Sequence, residues 1–90
     1  MAEFKIPTIF DVGSMTVTVV HSDEMDDNFG EFKYSKAQVS LAEGLCPDLL
    51  LETFFHEAVE AANLIYELEL PHAKIQILGA AIAQVIKSSR

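Results

Sequence analysis

The sequence predicts an α+β domain, with a small, about three-stranded antiparallel sheet followed by two α-helices. Three observations carry that expectation. Residues 15–21 (MTVTVVH) are rich in β-branched side chains and alternate as a strand does. Two more short extended runs follow within 31–44, with Phe32 and Tyr34 on one face of the first and Val39 and Leu41 on one face of the second. After Gly44 the apolar spacing changes from two to the three-and-four rhythm of helices.

Residues 1–14 contain Pro7 and the turn-forming run Asp11-Val12-Gly13-Ser14, so they read as an extended N-terminal arm. Residues 15–90 then form one domain, because ninety residues leave too little chain for two cores. The stretch 22–30 (SDEMDDNFG) is an acidic loop closed by Asn28 and Gly30. Pro47 suits a helix first turn, and Asp48 and Glu52 suit its positive end, so a first helix is expected over about 48–68. Leu70-Pro71 breaks it, and a second helix covers about 72–87. Its apolar positions Ile75, Leu78, Ile82 and Val85 follow helical spacing, and Lys87 and Arg90 complement its carbonyl end.

Composition bounds the function. Fourteen acidic residues against six basic ones give a net charge of −8, which argues against direct nucleic-acid binding. That charge fits a solubilising surface or a basic protein partner. A core this small gains from a protein partner or from self-association. Cys46 is the single cysteine, which excludes an internal disulfide and a four-thiolate metal site. No run reaches the ~20 apolar residues of a membrane span, and the N-terminus lacks the apolar run of a signal peptide, so a cytoplasmic location is expected.

The chemistry concentrates in residues 53–61 (TFFHEAVEA). The zinc-peptidase motif H-E-x-x-H would place a second histidine where Glu60 stands. His56 and Glu60 are one helical turn apart and can converge on one cation, since zinc accepts imidazole nitrogen and carboxylate oxygen alike. Glu57 would stand next to a water activated there. A third ligand must come from elsewhere, with His72 the nearest candidate and His21 another. Thr53, His56, Glu60, Asn63 and Glu67 form one polar stripe on a largely apolar helix, either a solvent face or the floor of a groove. A histidine and two carboxylates on a solvated face are commonplace in acidic proteins, and that is the competing reading.

Other residues carry less. The acidic loop (Asp23, Glu24, Asp26, Asp27, Asn28) lacks the spacing of an EF-hand and reads as a solvated turn. Cys46 precedes a helix, where a thiol is activated, but no other feature supports a nucleophile pairing it with His56 or His72. Phe54 and Phe55 read as core, and Phe29 and Phe32 as candidates for partner contact. A ferritin-like di-iron site needs two Glu-x-x-His helices, and the sequence holds that spacing only once, at Glu69-Leu70-Pro71-His72 across a proline.

Over about residues 15–88 the chain resembles the minimal zincin-like proteins often encoded in phages and prophages, distant relatives of larger regulatory metallopeptidases. "DDNFGEFKY" is similar to their loop and second strand, "GLCPDLLLETFFHEAVEA" to their active helix, and "LELPHAKIQILGAAIAQVIKS" to their linker and closing helix. The resemblance implies that His56 is the first zinc ligand and Glu57 the general base. The second ligand position falls on Glu60. The third, a glutamate in that family, falls on Gln76, which as a neutral amide binds zinc poorly. His72, one turn before Gln76, offers a replacement set of His56, Glu60 and His72.

With only one of three ligand positions intact, the resemblance implies a zincin-like shell without peptidase chemistry or cofactor. Such a shell would act as a small acidic accessory protein, in the host cytoplasm if phage-encoded, binding a protein partner along its sheet edge or groove. The alternative is a zinc-dependent peptidase or hydrolase using His56, Glu60 and His72 with Glu57 as base. A second alternative is an acidic inhibitor of a basic nucleic-acid-binding protein.

Overall fold

The computed structural model describes residues 4–25 and 28–89. It is α+β, with four strands followed by two helices. The strands are β1 (Ile9–Val12), β2 (Met15–Ser22), β3 (Gly30–Lys33) and β4 (Gln38–Ala42). They lie in the order β1-β2-β4-β3. Helices α1 (Pro47–Ile65) and α2 (His72–Ser88) complete the chain.

Two features correct the expected sheet. It has four strands rather than about three, because residues 9–12 of the N-terminal arm pair antiparallel with β2 across a two-residue turn at Gly13-Ser14. Gly13 takes φ +59° there, the left-handed conformation that such turns need. The sheet is also mixed rather than antiparallel. After β2 the chain crosses to the far edge, forms β3, and returns as β4 between them, so that β2 and β4 run parallel. The β3–β4 connection is a short 3₁₀ turn at Tyr34–Lys36 ending on Ala37 at φ 48°. Tyr34 is therefore outside the strand and does not share the inward face of Phe32.

Alternation on the two central strands sends Val17, Val19, Val39 and Leu41 to one face, where they bury against Phe54 of α1. Phe54 meets Phe10 and Phe55 edge-to-face at centroid distances of 5.5 and 5.1 Å. Burying each of these aliphatic side chains contributes about 1.5–3 kcal/mol, which makes this cluster the main stabilising element. Thr16 and Thr18, on the opposite face, are exposed.

Helix α1 begins with Pro47 in its first turn and Asp48 beside it, as the sequence predicts. It stops at Ile65, three residues before the expected end, where Glu67 turns left-handed at φ 53° and reverses the chain. Helix α2 packs on α1 rather than on the sheet, which leaves α1 sandwiched and explains why α1 is apolar around most of its circumference.

The evenly spaced apolar residues of α2 do not all face inward. Ile75, Gly79 and Ala83 are buried, whereas Leu78, Ile82 and Val85 are exposed. Small residues decide this outcome. A Cβ on Gly79 would lie 2.8 Å from both the Cα and the N of His56, so only glycine lets the two helices approach this closely. Lys87, in the last turn of α2, pairs with Asp48 of α1 at 3.5 Å. Arg90, Asp26 and Asp27 lie outside the described residues. No helix among the described residues is long and apolar enough to cross a membrane.

Candidate metal centre

The polar stripe of α1 divides: Thr53 and His56 line a cavity, whereas Glu67 lies beyond the helix and is exposed. Thr53 and Glu57 are buried, and His56, Glu60 and Asn63 are partly buried. A cavity of about 330 Å³ opens there between β3, α1 and the start of α2, lined by Gly30, Thr53, His56, Glu57, His72 and Gln76 among others.

His56 and Glu60 project from successive turns of α1, with Nε2 and Oε2 4.0 Å apart. That is too long for a direct hydrogen bond. His72, the first residue of α2, faces His56 edge-on with ring centroids 5.2 Å apart. One ligand atom from each of His56, Glu60 and His72 lies within 4.8 Å of the other two. Ligand atoms on a tetrahedral zinc stand about 3.3 Å apart, given bonds of about 2.0–2.1 Å, a difference within reach of side-chain rotation. Two imidazoles and one carboxylate are a donor set that catalytic zinc uses. The chemistry of the set therefore fits a divalent cation.

Glu57 supports the same fit. It is 4% exposed, and its Oε1 is buried without a hydrogen-bond partner. Burial, then the neighbouring carboxylate of Glu60, then that of Glu31, push its carboxyl up to about 8. A buried carboxyl crowded by two others carries its charge only at a cost, unless positive charge stands nearby. Gly30 makes this crowding possible. It opposes Leu41 on the inward face of the sheet, where a Cβ would fall 2.7 Å from Thr53 Cγ2 and 3.1 Å from Glu57 Cγ.

The other sequence candidates lie apart. His21 sits on β2 and lines a second cavity, with Leu50 and Lys87, away from His56. Cys46 is exposed at the start of α1 and does not line the His56 cavity. Gln76 lines that cavity one turn beyond His72. Phe29 is exposed at its rim. Among the described residues, His56, Glu60 and His72 are the one cluster of histidine, cysteine or carboxylate groups arranged to hold a metal ion.

Two contributors carried only faint signals in the sequence. A lone glycine inside a helical pattern, as at Gly79, marks a packing constraint. Asn63 stands on the polar stripe, but its partner, the backbone of Leu70, cannot be read from residue types. No protein-family model, curated protein or solved structure matches the chain.

Proposed function

We propose that the chain is a small metal-dependent hydrolase, with His56, Glu60 and His72 holding a divalent cation and Glu57 as general base. One observation carries this reading: ligand atoms of His56, Glu60 and His72, from two helices, approach one another beside a cavity that His56 and His72 line together with Glu57, whose Oε1 is buried without a partner. This observation favours the catalytic alternative over the accessory one.

A bound zinc ion would supply Lewis acidity and a local positive charge, which polarise a scissile carbonyl and favour the ionised form of Glu57. The residues of the chain do the rest. Glu57, which lines the cavity, would accept a proton from the attacking water and return it to the leaving amine. Thr53, Gly30 and Phe29 line the same cavity. A peptide is the substrate class implied by the zincin resemblance, and the geometry is compatible with it. β3 is a sheet edge, Gly30 of that strand lines the cavity, and an extended peptide can pair with such an edge.

The ligand set separates cleanly from the family pattern. In an equilibrium zinc titration, His72→Ala should weaken binding by about 100-fold or more, whereas Gln76→Ala should leave it within about threefold. The reverse order would assign the third ligand to Gln76 and overturn the set.

A further inference from the structure

We infer that Asn63 is a positioning residue that sets where the third ligand, His72, stands; this rests on the metal reading above. Asn63 lies on α1 one turn beyond Glu60, and its side chain grips the connection between the helices at both ends of one peptide residue. Its Oδ1 accepts the Leu70 N–H at 2.8 Å, and its Nδ2 donates to the Leu70 carbonyl at 3.4 Å. Its own backbone carbonyl accepts the N–H of Leu68 at 3.0 Å. One residue of α1 thus supplies three hydrogen bonds to the connection.

The connection needs them. Glu67 and Glu69 take φ of 53° and 57°, conformations that cost a non-glycine residue about 1–2 kcal/mol each. A segment with those preferences does not hold this path unaided. Between the clamped Leu70 and His72 there is only Pro71, whose ring restricts φ and which caps α2 at φ −71°. The orientation fixed at Leu70 therefore passes with little slack to the first residue of α2. His72 is exposed, so packing around its ring contributes little to its placement. His56 and Glu60 share α1 with Asn63 and depend on no such clamp. The clamp acts on one ligand out of three.

The test reads zinc affinity and the exchange of the Leu70 amide proton in the metal-free chain, for wild type, Asn63→Ala and Asn63→Asp. The expected result for Asn63→Ala is a 10–100-fold loss of zinc affinity, the range for removing a residue that orients a ligand, together with a Leu70 amide that exchanges as an unprotected one. Asn63→Asp keeps the acceptor for that N–H and should restore both the protection and most of the affinity. Should Asn63→Ala not fold, Asn63→Ser, polar but too short to reach Leu70, gives the same two readings. Wild type that binds zinc beside an Asn63→Ala variant of equal affinity would overturn the positioning role alone. Wild type that binds no zinc would overturn the metal reading, and the positioning role with it.

Discussion

Glu57→Gln should abolish hydrolysis and, in the metal-free chain, raise stability at alkaline pH. The first effect follows from removing the proton acceptor, and general-base contributions of this kind are worth roughly 10²–10⁴ in rate. Zinc affinity should change little, because Glu57 is not among the three ligands. The second effect follows from linkage. In the folded chain the Glu57 carboxyl, buried and crowded by Glu60 and Glu31, keeps its proton until about pH 8, against 4.5 ordinarily. Below pH 4.5 both folded and unfolded chains hold that proton, and its contribution to stability is fully present. Between 4.5 and 8 the unfolded chain has released it and the folded chain has not. Stability then falls with rising pH, by at most about 1.4 kcal/mol per unit for one proton. Above 8 both forms are ionised and the loss is complete. Glutamine at 57 removes that slope. Thermal melts of metal-free wild type and variant from pH 4 to 9 should diverge progressively across this window, with the variant the more stable at its upper end. Parallel melting curves would show that Glu57 ionises normally.

Gly79→Ala should destabilise the chain, although helix propensity alone predicts the opposite sign. Alanine inside an exposed helix gains about 1 kcal/mol over glycine. At Gly79 the added methyl would stand 2.8 Å from the backbone N and Cα of His56, atoms that cannot rotate aside. The helices must separate, and overpacking of this kind costs about 1–3 kcal/mol. The net expectation is a destabilisation of about 1–2 kcal/mol. Because the separation occurs at His56 itself, zinc affinity should also fall, by about tenfold. Chemical denaturation and zinc titration of one preparation measure both. A stabilised variant would mean that α2 does not pack this closely on α1.

The legible parts of the fold were those written in large side chains. Val17, Val39, Leu41 and Phe54 are apolar and correctly spaced, and they form the core their pattern implies. Pro47 and Pro71 marked the starts of both helices. The parallel pairing of β2 with β4 was not legible, because alternation fixes which face is buried and says nothing about which strand lies beside which. β1 was hidden in a four-residue run beside a proline and a turn, too short to show a period. The buried face of α2 was not legible for a related reason. Apolar size pointed to Leu78, Ile82 and Val85, while close approach selected Gly79 and Ala83, which hydrophobicity ranks low.

The site divides in the same way. His56, Glu57 and Glu60 share one helix, so spacing alone placed them together. His72 was nominated by its place early in the second helix, one turn before Gln76, but its approach to His56 depends on Asn63, Gly79 and two left-handed glutamates. None of those contributions is a motif. Each is a consequence of backbone geometry that appears only once the two helices are docked.

The most direct measurement is X-ray absorption at the zinc edge of the full chain, loaded with one equivalent of zinc and dialysed against metal-free buffer. A stoichiometric ion with two imidazole ligands and a carboxylate, reduced to one imidazole in His72→Ala, is the expected result. Failure to retain zinc, or an ion bound through fewer than two imidazoles, would contradict the assignment of His56, Glu60 and His72 as a metal centre.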